Sequence, residues 1–181
     1  MIYDDSASNS AFKQFLNVVD GWYMSWCAEH ISGGVIIDIN SLYGNTSVLY
    51  AKHCNPTIVI SITNSIENQN SIANNLIVNH CSSVVPIYAS TISGNDNHRT
   101  IDDIYSGIAC RLLKIDTEDP IQTIQGSIYT IKASMPIIVV KMDNENTRAV
   151  EILLSSIGYK KIKTNEYGTR IYVPTDHPIY K

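Results

Sequence analysis

Gly33-Gly34-Val35-Ile36-Ile37-Asp38-Ile39-Asn40-Ser41-Leu42-Tyr43-Gly44-Asn45 is the stretch that decides the fold class. Val35 to Ile39 is a short apolar run rich in branched side chains, which predicts a strand buried on both faces. The glycine pair punctuates its start. Asn45 to His53 then predicts a helix, so strand, short loop and helix make one βα unit.

Outward from this unit the same alternation repeats, which is the pattern of a parallel sheet. After the turn Asn55-Pro56 a second apolar strand runs from Thr57 to Ile62. Ser65 to Val78 predicts a helix with Ser65 as N-cap and Glu67 in the first turn, where the helix dipole favours a carboxylate. A third strand spans Val84 to Ala89. The polar stretch 93–98 is the most loop-like part of the chain, and Thr100 caps a short helix beyond it. Arg111 to Asp116 reads as the fourth strand, Ile121 to Lys132 as one helix with Pro120 at its first turn, and Pro136 to Met142 as the fifth strand. Asn146 to Ile157 is helical, and strands Tyr159 to Lys163 and Thr169 to Val173 flank the hairpin-like turn Asn165–Gly168. Upstream, Ala7 to His30 has near-helical apolar spacing broken at Asp20-Gly21, giving two covering helices within 1–32. The expectation is one α/β domain: a core over 33–174 with a seven-stranded, mostly parallel sheet and a C-terminal antiparallel hairpin.

The chain has 181 residues, 44% hydrophobic and 17% charged, with a formal net charge of -4 and a pI near 5.6. That length buries a full core. No run approaches the roughly 18 apolar residues of a membrane span, and the acidic, polar start has no signal-peptide pattern. The reading is a soluble cytoplasmic protein with no membrane partner. The 13 basic residues are scattered along a mildly acidic chain, which argues against nucleic acid as a partner. Cys27, Cys54, Cys81 and Cys110 form no Cys-x-x-Cys pair. Their neighbours His30, His53 and His80 leave a metal site open, although cysteine commonly behaves as a small hydrophobe.

In such a sheet ligands bind at the carboxyl ends of the strands, near the topological switch point. Asp38, Thr63, Ser90 and Asp116 follow the ends of strands one to four and are expected to line one cleft. Cys54 and Cys81, near helix ends, fall on the other side.

In order and spacing, DINSLYGNTSVLYAK (38–52), VISITNSIENQNSIANNLIVN (59–79), YAS and SG (88–94), TIDDI (100–104), LLKIDTED (112–119), IQTIQG (121–126), MPIIVV (135–140) and ILLSSIGYKKI (152–162) resemble the FkbM family of S-adenosylmethionine-dependent O-methyltransferases, from Val35 to Val173. The resemblance implies a Rossmann-like class I methyltransferase fold and S-adenosylmethionine as cofactor, leaving as S-adenosylhomocysteine. It also implies a hydroxyl of a sugar, a glycan end or another small metabolite as acceptor. The implied cofactor residues are Asp38, Asn40, Ser41, Tyr43 and Gly44 in the first loop, Thr63 and Asn64 after the second strand, and Ser90 after the third. Departures fall in the same places. The family loop Asp-x-Gly-Ala-Asn-x-Gly is here Asp38-Ile39-Asn40-Ser41-Leu42-Tyr43-Gly44. Asn40 tolerates the left-handed conformation, whereas Leu42 either packs into the core or crowds the cofactor. The family's Glu-Pro is Thr63-Asn64, which replaces a charge-assisted ribose contact by a neutral one. Glu67, one turn on, is either an adenosine contact or a solvated first-turn acid.

Lys114, Asp116 and Glu118 keep the family's Lys-x-Asp-x-Glu. Asp116 is the candidate general base for an acceptor hydroxyl, with Glu118 and His98 as further catalytic candidates. Asp116 and Glu118 alternatively ligate a divalent cation or cap the next helix. Lys141, where the family has Glu, is expected to pair with Asp116 or Glu118. The departures motivate a second reading, a catalytically silent methyltransferase-fold module with a binding or assembly role. A nicotinamide-dependent dehydrogenase fits less well, since Gly-x-Gly-x-x-Gly is absent after the first strand. The short N-terminal region leaves open one domain of a larger enzyme, for instance one fused to or associated with glycosyltransferase domains.

Overall fold

Branched apolar runs become strands, buried on both faces over Val35–Ile39 and partly exposed over Val84–Tyr88. The computed structural model describes residues 21–89, 99–105, 107, 109–165 and 167–178. The helix expected before Gly21, the loop 93–98, and the site candidates Ser90 and His98 lie outside the described residues. The fold is the expected one: α/β, with a seven-stranded, mostly parallel sheet and a C-terminal antiparallel hairpin. Two compact units, 1–88 and 89–181, divide the chain.

In the first unit, α1 (Gly21–His30) precedes β1 (Val35–Ile39), α2 (Asn45–His53), β2 (Ile58–Thr63), α3 (Ile66–Val78) and β3 (Val84–Tyr88). The strands pair in parallel in the order β3-β2-β1, with Val35 opposite Ile58 and Val59 opposite Val84. All five side chains of β1 are buried. α3 begins at the expected cap, where Ser65 Oγ accepts the Asn68 amide at 3.2 Å. It turns Ile72 and Leu76 inward.

In the second unit, α4 (Ile101–Ile104) leads to β4 (Cys110–Ile115), α5 (Pro120–Gln125), α6 (Ile128–Ser134), β5 (Ile137–Lys141), α7 (Asn144–Ser156), β6 (Tyr159–Thr164) and β7 (Thr169–Pro174). Here the order is β4-β5-β7-β6; β4 and β5 are parallel, and β7 runs antiparallel to both its neighbours. Thr100 and Asp103 close a capping box on α4.

One expected helix is two. The stretch from Ile121 to Lys132 breaks between α5 and α6 because Asp102 caps α6 from far away in sequence. Its carboxylate accepts the amides of Tyr129 and Thr130, each at 2.9 Å, and the Thr130 hydroxyl at 2.7 Å. A second difference is at α7, which starts two residues early because Asp143 caps it through the Asn146 amide at 3.2 Å.

Candidate functional site

The first unit holds the loop between β1 and α2. Asp38 projects from β1 and is fully buried. A buried carboxylate must be hydrogen-bonded, and hydroxyls supply the donors. Ser41 Oγ, Thr46 Oγ1 and Ser47 Oγ donate to Asp38 Oδ2 at 3.0, 2.7 and 2.6 Å. Ser47 Oγ is also 2.9 Å from both Ser41 Oγ and Ser61 Oγ. Ser61 sits directly opposite Asp38 in the β1–β2 register, so strand pairing itself brings it to the network.

The backbone turns sharply over this network. Asn40, Leu42 and Gly44 all have positive φ, at 60°, 43° and 80°. Asn40 and Gly44 suit that region, and Leu42 is strained in it. Leu42 therefore neither enters the core nor folds back; it stands 48% exposed beside Tyr43, 56% exposed. The loop is anchored at its base by the Ser41 amide to Ile62 O at 3.1 Å. It is anchored at its tip by α3, where Asn75 Nδ2 donates to Tyr43 O at 2.7 Å. A Cβ on Gly44 would lie 3.1 Å from Ile72 Cγ2, so glycine is required twice there, by conformation and by contact. At the end of β2, Thr63 is buried and its Oγ1 accepts the Ser65 amide at 3.3 Å, while Asn64 beside it is exposed. Glu67 is exposed in the first turn of α3. A nucleoside-bearing ligand fits this chemistry: a loop of left-handed residues held from beneath, with Leu42 and Tyr43 outward and Asn64 exposed at the end of β2.

The second unit holds the carboxylate Asp116, one residue past β4. Lys114 Nζ lies 3.4 Å and Lys141 Nζ 3.9 Å from Asp116 Oδ2, with side-chain exposures of 7%, 42% and 30% for Lys114, Lys141 and Asp116. The expected Lys141 pairing is thus present, and Lys114 adds a second ammonium that sequence reasoning did not assign. Glu118 is exposed, and the cap of α5 is neither Asp116 nor Glu118 but Asp119, whose Oδ1 accepts the Gln122 amide at 3.0 Å. Among the described residues no group of three or more His, Cys, Asp or Glu could hold a metal ion; Asp116 is met by cations. Arg170, buried in β7, donates to Met142 O at 3.0 Å, Gly168 O at 2.8 Å and Asn144 Oδ1 at 3.2 Å. It thereby ties the end of β5 to the hairpin turn.

Sequence reasoning missed Thr46, Ser47, Ser61, Asn75 and Arg170. Only Ser61 carried a signal, as a hydroxyl inside the apolar run from Ile58 to Ile62. The four cysteines are free and buried. Burial pushes the Cys54 thiol up to about 11 and that of Cys110 up to about 12, and raises those of Cys27 and Cys81 as well.

No family model matches the chain, and no curated protein matches it in sequence. Solved structures share its fold. An rRNA methylase from Streptococcus thermophilus is 12% identical over 83% of this chain and 92% of its own, with a TM-score of 0.61. A SAM-dependent methyltransferase from Aquifex aeolicus is 11% identical over 91% and 96%, with a TM-score of 0.61. Methyltransferase FkbM from Methylobacillus flagellatus KT is 15% identical, with a TM-score of 0.63, over 79% of this chain and 44% of that one. At these identities the likeness is one of fold. It nevertheless overturns the exclusion of nucleic acid, because a structure sharing this fold is an rRNA methylase, and it lends no support to a glycan acceptor. The exclusion failed because net charge averages over the chain. Two basic and six acidic residues precede residue 89, whereas eleven of each follow it. As for membranes, no helix among the described residues is long and apolar enough to cross one.

Proposed function

We propose that the chain is an S-adenosylmethionine-dependent methyltransferase acting on an oxygen nucleophile, similar in its motif order to the FkbM family. The observation that carries the reading is the loop 38–44, held by the Asp38 hydroxyl network and turned by three positive-φ residues. Asn40, Ser41, Tyr43 and Gly44 form the cofactor loop. Asp38, being buried, acts on the cofactor through that loop. Asn64 offers its side chain to the ribose, with Thr63 behind it, and Ser90 is a further contact. When bound, the cofactor supplies an electrophilic methyl group on a sulfonium centre. Asp116, oriented by Lys114 and Lys141, takes the acceptor's proton, and Glu118 and His98 bind the acceptor.

Thermal unfolding with S-adenosylhomocysteine tests this reading. A ligand at 100 times its Kd adds about 2.7 kcal/mol, which raises the Tm of a chain this size by roughly 5–10 °C. Gly44→Val should abolish the shift; no shift in the unsubstituted chain would refute the reading. The second reading, a silent methyltransferase-fold module, draws on Thr63-Asn64, where a charged ribose acceptor is replaced by neutral groups. It predicts no shift.

A further inference from the structure

Strand register, rather than chance, places the lysines of the second unit. Residues paired across neighbouring strands project on the same face. Lys163 pairs with Ile171, Ile171 with Val139, and Val139 with Lys114, so Lys163 and Lys114 share a face. Lys141 and Asp116, each two residues further along, share it too, as their 3.9 Å pair requires. Lys160, opposite Val173, is on this face as well. Residues three apart in a regular strand would project on opposite faces, and it is the register shift between Lys161 and Lys163 that brings Lys160 and Lys163 together. Lys161, opposite Tyr172, falls on the other face and pairs there with Glu151 of α7. β6 is the end strand of the order, and Lys160 and Lys163 are exposed on it. From Lys141, which is level with Thr169, to Lys163 is two strand steps across and two residues along, about 12 Å, and to Lys160, two residues further along, about 17 Å, so the row runs diagonally across the sheet.

We infer that this row is a track for the phosphates of a single-stranded RNA leading to Asp116. Lys141, Lys163 and Lys160 contact phosphates, for which the lysine ammonium serves as a point charge. The inference rests on the oxygen-methyltransferase reading for its acceptor, the ribose 2′-hydroxyl, which distinguishes RNA from DNA. In the transfer the ribose oxygen gains the methyl group as the sulfur–methyl bond breaks, S-adenosylhomocysteine leaves, and the hydroxyl proton passes to Asp116 and then to solvent. Lysines on an edge strand also deter edge-to-edge aggregation, but that purpose needs no shared face with Lys141 and no bulge to create one.

The test is the salt dependence of binding to a fluorescein-labelled oligouridylate, with S-adenosylhomocysteine affinity measured on the same samples. Each phosphate contact on a single strand contributes about 0.7 to the slope of log K against log salt. The double variant Lys160→Gln/Lys163→Gln should therefore lose about 1.4 of slope and roughly 25-fold in affinity at 0.1 M salt. Lys161→Gln, on the opposite face, should lose neither, and both variants should keep the unsubstituted affinity for S-adenosylhomocysteine. The inference is overturned if the double variant keeps its slope, if Lys161→Gln loses as much, or if polyglutamate displaces the oligonucleotide at equal charge concentration. Oligouridylate binding with the expected pattern, in a chain that binds no S-adenosylhomocysteine, would uphold the track and overturn the methyltransferase reading alone.

Discussion

Ser47→Ala removes the shortest bond to the buried Asp38 carboxylate, the 2.6 Å contact from Ser47 Oγ. A hydrogen bond to a charged group contributes about 1.5–3 kcal/mol. Ser61 Oγ and Ser41 Oγ each lose a neighbour at 2.9 Å, worth about 1 kcal/mol more between them. Asp38 keeps its bonds from Ser41 and Thr46, so the loss stays at the lower end of the roughly 3–5 kcal/mol of a buried charge stripped of its partner. The expected destabilisation is about 3 kcal/mol, or a Tm lower by roughly 6–12 °C for a chain of this length. Urea denaturation followed by circular dichroism measures it. Ser71→Ala is the control, since Ser71 Oγ donates to Glu67 O on the exposed side of α3, and it should stay within about 0.5 kcal/mol of the unsubstituted chain. A Ser47→Ala variant as stable as that control would refute the claim that hydroxyls hold the carboxylate.

Three further outcomes follow from the geometry. Leu42→Asn should stabilise the chain by up to about 1 kcal/mol, because asparagine relieves the left-handed strain at an exposed position; a lower Tm would show that the leucine side chain contributes more than its strain costs. The amide and hydroxyl of Thr100 hold the Asp103 carboxyl below its ordinary value of 3.8. A depressed folded-state value means that the contribution to α4 is present above the ordinary carboxylate range and is lost as pH falls through the folded-state value. NMR titration should show Asp103 protonating below pH 3.8 and moving part of the way back in Thr100→Val; an unchanged titration in that variant would contradict the capping box. The cysteines should resist thiol reagents in the folded chain: a thiol at about 11, as for Cys54, is roughly one part in a thousand thiolate at pH 8. Rapid labelling of any of the four at pH 8 before denaturant is added would contradict their burial.

The strands were legible because branched apolar runs such as Val35–Ile39 and Ile137–Lys141 admit one reading, and short-range caps such as Ser65 lie within a few residues of what they satisfy. Asn40 in the left-handed region was legible from its residue type. Leu42 there was not, since only the anchors at Ser41 and Asn75 force it. The hydroxyl network draws on β1, α2 and β2, and the cap of α6 on a residue in α4. No local pattern reports such pairings. The lysine row depends on a one-residue register shift in β6, and a count of charges along the chain hides it.

The most direct measurement is isothermal titration of the chain with S-adenosylmethionine and S-adenosylhomocysteine. Binding with a micromolar Kd is the predicted result, abolished by Gly44→Val. No heat of binding up to millimolar ligand would contradict the assignment of the loop 38–44 as a cofactor site, and with it the methyltransferase reading.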